Sequence, residues 1–322
     1  MRVPQVSIET WERTPVTIAA TPCLVRHPMT KARTAEKIPD GSLSTHNGFS
    51  LISNEKLLEI YSTMLKCRML EERIHSLEKR KKAAKPSNPS VHVAAIAGTA
   101  IDLHPGDTLA PSQGGLTPCF AKGLPLAAIF PIVLSSGALP RPRYSALNLI
   151  PPSLSASKQL DRSLAAAAIC KAKRNKKAAV VFLSDASGAS SELERAMMVA
   201  GKKKLPILFV YETKSLEEEQ LQRANDLGVP GVAVEDDDAV AVYRVATEAL
   251  AHARRGSGPT LIECRPWPFN DRGTSKGASA KHPIGKMETY LAGKGLFSRQ
   301  FKTKLVAQFN RELDAAIKAA AR

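Results

Sequence analysis

The chain is 322 residues long and 43% hydrophobic, which suits one large or two ordinary α/β domains and excludes an intrinsically disordered protein. Its formal net charge is +16, much of it in three basic runs: Lys79–Lys82 with Lys85, Lys171–Lys177, and Lys202–Lys204. Such runs are ordinarily solvated helix ends, with an acidic protein or nucleic acid as the alternative partner. None of the nine Phe, five Tyr and two Trp is interleaved with them, so base stacking has little support.

Five cysteines (Cys23, Cys67, Cys119, Cys170, Cys264) form no C-x-x-C pair and are odd in number, which argues against a disulfide framework or a zinc site. No apolar run approaches the roughly 18 residues needed to span a bilayer, and no charged start precedes an apolar leader. A cytoplasmic protein with no membrane partner is expected.

Residues 1–50 mix Pro, Thr, Ser and Gly without periodicity and predict an extended or partly disordered arm. From Ser53, an N-cap candidate, Leu57, Leu58, Tyr61, Met64, Leu65, Met69, Ile74 and Leu77 recur at helical spacing. Pro86 and Pro89 end that pattern, a small-residue helix covers Ala94–Ile101, and HPGD turns the chain into a strand at Thr108–Ala110. Residues 132–156, rich in Gly, Ser and Pro, predict a loop, and Ala165–Ile169 belongs to an alanine-rich helix.

The stretch VVFLSDASGASSELERAMMVAGKKKLPILFVYETKS holds the densest information. Val180–Leu183 is a short apolar, β-branched and aromatic run, the mark of a strand buried on both faces. From Ser190 a helix carries Glu192 and Glu194 early and Lys202–Lys204 late, with charges that oppose its macrodipole. After Pro206, Ile207–Tyr211 is a second buried strand. The unit is βαβ, and its two carboxyl ends lie side by side where open parallel sheets bind ligands. A strand at Val232–Val234, a helix at Ala239–Arg254, a strand at Thr260–Cys264 and an amphipathic helical tail from His282 follow. The alternation predicts an α/β protein: a doubly wound, mostly parallel sheet with helices on both faces, helical N- and C-terminal additions, and a single domain over 51–322.

The phrases KLLEIYSTMLKCRMLEERI, LHPGDTLAPS, KKLPILFVYET, GVPGVAVEDDDAVAVYRVATEALAHARRGSGPTLIEC and HPIGKMETYLAGKGL occur in an order and spacing that resemble one family. It is the alpha subunit of heterotetrameric thiamine-diphosphate-dependent 2-oxoacid dehydrogenases, of the pyruvate and branched-chain type, and the resemblance covers residues 50–320. It implies the thiamine-diphosphate-binding fold and, in the family, a diphosphate whose Mg²⁺ is held by an Asp and an Asn beside close-approaching glycines. The family's Gly-Asp-Gly falls on Ser184, Asp185 and Ala186, and its Asn pair on Thr213 and Lys214. Its Tyr-Arg-x-His falls on Gln113, Gly114, Gly115 and Leu116, its Gly-Gln-Glu-Ala on Val91–Ala94, and a helix glycine on Ala165. The mobile loop that carries its second histidine is shortened here, and His282 lies too far along.

Measured against the resemblance, these departures predict a degenerate cofactor site, no cofactor, no metal and no catalytic residue. Asp185 is the one retained ligand position. The expected role is a non-catalytic structural or regulatory subunit that pairs with a beta-type subunit, an alpha paralogue or itself. An active but divergent thiamine enzyme and a basic binding protein are the alternatives. Asp185 is otherwise an N-cap. His92 and His104 read as core or surface histidines, Cys170 and Cys264 as small core residues, and Ser187–Ser191 lacks a nucleophile elbow. A contact between Asp185 and Lys214, in which the ammonium takes the place of the metal, is also expected.

Overall fold

Five short apolar segments, β1 (Thr108–Ala110), β2 (Ala179–Ser184), β3 (Ile207–Glu212), β4 (Gly231–Glu235) and β5 (Thr260–Arg265), pair in parallel in the order β1-β2-β3-β5-β4. They come from a computed structural model that describes residues 52–79, 92–135, 141–152, 154–185, 188, 190–213, 219–265 and 283–321. The expected N-terminal arm lies outside these residues. Between and around the strands run α1 (Asn54–Lys79), α2 (Val93–Ala100), α3 (Thr117–Ala121), α4 (Leu126–Ser135), α5 (Arg141–Ala146), α6 (Ala156–Ala172), α7 (Ser190–Lys202), α8 (Glu219–Asp226), α9 (Ala239–Arg254), α10 (Pro283–Gly293) and α11 (Arg299–Ala320).

Alternate residues of the central strands serve two cores. Val180, Phe182, Leu208, Val210 and Ile262 join α1, α2 and α9 on one face, while Val181, Leu183, Ile207, Phe209 and Leu261 join α6 and α7 on the other. Burial on both faces is why β2 and β3 read as continuous apolar runs rather than as alternating ones. Each large side chain hidden this way contributes about 1.5–3 kcal/mol.

Register fixes the edge that matters. Ser184 pairs with Glu212, Glu212 with Cys264, and Cys264 with Val234, so the carboxyl ends of β2, β3, β5 and β4 form one row. Helix α2, with all eight residues buried, lies under that row against α9, where Gly98 allows close approach. Asp238 caps α9 by accepting from the Val240 and Ala241 amides, and Ser53 accepts from the Lys56 amide at the start of α1.

Three expectations need correction. Residues 132–156 are not a loop throughout, because α4 runs into them with Pro131 inside it, α5 lies within them, and α6, which contains Ala165–Ile169, begins at Ala156. The tail is two helices, interrupted where Gly295 takes φ 69° and the Leu296 amide closes back on Leu291. Helix α8 has no counterpart in the sequence reading, since its composition is polar nearly all round. Among the described residues, no helix is long and apolar enough to cross a membrane.

Candidate functional site

The parallel register of β2 and β3 sets the residues after them side by side. Thr213 Oγ1 donates to Asp185 Oδ2 at 2.9 Å, and the Tyr211 hydroxyl is bonded to the same carboxylate. Burial first, then that bond, holds the Tyr211 phenol well above its ordinary range. Asp185 is exposed while Thr213 and Tyr211 are buried, so β3 supplies a fixed wall and β2 an accessible carboxylate. The carboxylate thus works across two strand ends, which the local N-cap reading did not anticipate. Ser184 closes β2 beside it. Ala186, Ser187 and Lys214 lie outside the described residues, and so does the expected contact between Asp185 and Lys214.

Gly188 adds a feature that the sequence reading passed over. It has φ 59°, its amide donates to the Asp185 carbonyl, and among the described residues no atom lies within 4 Å of where a Cβ would stand. Helix α7 begins two residues later. A left-handed glycine that faces open space at a helix N-terminus is a place where an anion can come close to the backbone.

The turn after β1 behaves differently. Gln113 is exposed and Gly114 has φ 80°, but the Gly114 amide donates to Pro152 O at 2.9 Å and the Gly115 amide to Ser112 O at 2.8 Å. Both donors are already engaged by backbone carbonyls, one within the turn and one from the segment before α6. Leu116 is buried, so Gln113 alone offers a polar side chain there.

A second polar group occupies the β4 end of the same row. His92 Nδ1 lies 2.5 Å from Asp236 Oδ2, with both side chains largely buried. Burial pushes the imidazole down, but the Asp236 hydrogen bond and the Glu212 carboxylate outweigh it and lift His92 to about 9. Glu71, on the inner face of α1, accepts from Thr117 Oγ1 at 2.8 Å, and burial raises it to about 7. Sequence reasoning set His92 aside and missed Glu71 and Asp236. A carboxylate on the apolar stripe of α1 was the available signal. His104 remains a turn residue whose amide donates to Asp107. Cys170 and Cys264 are buried free thiols, and burial raises both.

Among the described residues, no three His, Cys, Asp or Glu side chains are grouped to hold a metal by themselves. An ion that bridges a diphosphate does not require that. Mg²⁺ takes one or two protein oxygens and completes its shell with phosphate and water. The Asp185 carboxylate and the Thr213 hydroxyl are such a pair, and Gly188 with the α7 N-terminus offers the adjacent anion approach. These residues fit the metal end of a diphosphate cofactor.

A parallel sheet wound on both faces defines an open α/β protein, and in such sheets ligands bind at the carboxyl edge, where hard oxygens and a left-handed glycine meet here. Residues 61–322 match the Dehydrogenase E1 component family, and the chain belongs to it. It is 24% identical over 306 residues to the pyruvate dehydrogenase E1 component subunit alpha of Staphylococcus epidermidis, covering 87% of this chain and 82% of that protein. It is 23% identical over 294 residues to the corresponding protein of Staphylococcus aureus, covering 84% and 79%. A transketolase structure from Campylobacter jejuni aligns at a TM-score of 0.49 and 16% identity, over 84% of this chain and 47% of that one. This chain therefore spans about half the length of that transketolase.

Family membership overturns the expectation that the chain takes no cofactor, because a thiamine diphosphate is what the family leads one to expect. That expectation rested on the loss of both glycines at Ser184 and Ala186 together with the Asn pair, the Tyr-Arg-x-His segment and the second histidine. Gly188 supplies a left-handed glycine two residues beyond Ala186.

Proposed function

We propose that the chain is an alpha-type subunit of a 2-oxoacid dehydrogenase decarboxylase and pairs with a beta-type subunit. In this reading it holds thiamine diphosphate by its metal end and serves as a structural or regulatory partner rather than as the subunit that turns over substrate. The observation that carries the reading is the hydrogen-bonded pair of Asp185 and Thr213 at adjacent strand ends. When bound, the cofactor would supply the electron sink for cleavage beside an oxo group. Asp185 and Thr213 would hold its metal, with the Tyr211 hydroxyl orienting the carboxylate.

Support for a non-catalytic role comes from what surrounds that pair. The segment Gln113–Leu116 carries no charged side chain, and its glycine amides are already bonded. His92 is fastened to Asp236 at 2.5 Å and carries its proton to about 9, so it is a poor proton acceptor near neutrality.

Co-expression with a beta-type subunit, followed by calorimetric titration with thiamine diphosphate and Mg²⁺ and an oxoacid turnover assay, tests the proposal. A stoichiometric complex should form and bind the cofactor, lose that binding in Asp185→Ala, and fail to turn over pyruvate or branched-chain 2-oxoacids. A chain that stays monomeric beside the beta-type subunit, or turnover that depends on this chain, overturns it.

A further inference from the structure

The opposite edge of the sheet carries a feature that the cofactor-edge reading does not use. A cavity of about 330 Å³ opens at the amino ends of β2 and β3, where the last turns of α6 and α9 converge with the loop between α6 and β2. Among the described residues its lining contains six cations and no carboxylate: Lys171, Arg174, Lys176, Lys177, Arg254 and Arg255.

Two of these cations are structural. Lys171 Nζ donates to Lys203 O at 2.6 Å, and Arg254 is paired at 2.5 Å with the fully buried Asp107. Both sit where the carbonyl ends of helices call for positive charge. Arg174, Lys176, Lys177 and Arg255 exceed that need, and their side chains have no ion pair or hydrogen bond among the described residues. Four unneutralised cations facing one concavity repel one another, a cost that a plain solvated face avoids by spreading them out.

The backbone holds them in place. Arg174 and Lys176 take φ 48° and 55°, a left-handed conformation that non-glycine residues adopt at a cost. Lys177 lies across Gly106 of the HPGD turn. A Cβ on that glycine would stand 2.3 Å from Lys177 Nζ, so only glycine leaves the ammonium its position.

We propose that this cavity binds a compact polyphosphate group, as the tail of a nucleoside polyphosphate or as free polyphosphate. The cations come from two segments, the loop at residues 174–177 and the end of α9, and line one concavity, which matches the compact charge of a phosphate cluster better than the stripe that an extended nucleic acid follows. No aromatic residue lines the cavity, so base stacking has no platform, and its volume is that of a small-ligand site. The site is separate from the Asp185 edge and independent of cofactor binding there.

The test is isothermal calorimetry on the full chain with sodium tripolyphosphate, ATP and an oligoglutamate peptide as separate probes. Tripolyphosphate and ATP should compete for one site; tighter ATP binding identifies a nucleoside polyphosphate, and equal binding a polyphosphate group alone. The triple variant Arg174→Ala, Lys176→Ala, Arg255→Ala should weaken tripolyphosphate binding by about 30-fold or more, at charge-assisted hydrogen-bond strength reduced by exposure. The variant Arg299→Ala, Lys304→Ala, Lys318→Ala removes the same charge from α11 and should leave binding unchanged. Gly106→Ala displaces Lys177 without removing charge and should weaken binding while the melting temperature holds. Equal binding by the two triple variants, tighter binding of oligoglutamate than of tripolyphosphate, or no saturable binding at millimolar tripolyphosphate overturns the proposal.

Discussion

Thr213 and Asp185, 28 positions apart in the chain, meet at 2.9 Å because β2 and β3 end in parallel register one residue earlier. The contact joins a buried hydroxyl to an exposed carboxylate, so each can be altered without opening the core.

Thr213→Val keeps the volume and removes the donor. In the complex with a beta-type subunit, it is expected to weaken Mg²⁺-dependent cofactor binding by about tenfold. The stability change should stay near the 0.5–1.5 kcal/mol of one hydrogen bond. Titration of Mg²⁺ at fixed thiamine diphosphate, beside a urea melt, separates the two effects; unchanged Mg²⁺ affinity would remove Thr213 from the site.

The pair of His92 and Asp236 sets a pH dependence. The folded value of about 9 exceeds the ordinary 6.5, so the stabilisation is fully present below pH 6.5 and is lost as pH rises through 9. The amount is roughly 3 kcal/mol, from 1.36 kcal/mol per unit. Melting temperature should fall across this window, and His92→Gln should flatten the fall. A wild-type profile level from pH 6.5 to 9 would contradict it.

Glu71 acts in the same direction at lower pH. Its acid is raised from 4.5 to about 7 by burial, so the folded state holds the proton more tightly and loses stability as pH rises from 4.5 through 7. Glu71→Gln retains the Thr117 bond in neutral form and is expected to raise stability at pH 8 by roughly 1–3 kcal/mol, with little effect at pH 4.5. Urea melts at the two pH values decide it, and equal shifts at both would rule out titration as the cause.

Gly98→Ala should reverse the usual preference of helices for alanine. An added Cβ would stand 2.8 Å from Val242 Cγ1 and 2.9 Å from the Tyr243 backbone nitrogen, and the backbone of α9 cannot step aside cheaply. The expected loss is about 1–3 kcal/mol, against a gain of about 1 kcal/mol at an exposed helical glycine. A stabilised variant would show that the approach of α2 to α9 is looser than described.

Hydrophobic period alone determined the βαβ unit around Asp185, the bounds of α9 and the parallel sheet, because these elements are local and their patterns report burial directly. The row of phrases from α1 to the tail was enough to place the chain in its family. The interruption between α10 and α11 and the helices within 132–156 were hidden by glycines and prolines that tertiary contacts tolerate inside or beside helices.

The working geometry came from contacts across the chain. The sequence places Asp185 opposite the end of β3, but only the structure brings the Thr213 and Tyr211 hydroxyls to its carboxylate, and Gly188 matters only because its missing Cβ faces open space. His92 and Asp236 are 144 positions apart, Glu71 and Thr117 46, and each residue alone looks like an ordinary polar side chain. The basic run at Lys171–Lys177 looked like a solvated helix end until α9 brought Arg254 and Arg255 against it and made a concavity. Sequence sets which elements form. Their packing sets which charges share a space, and the energies of burial, pairing and repulsion depend on that distance.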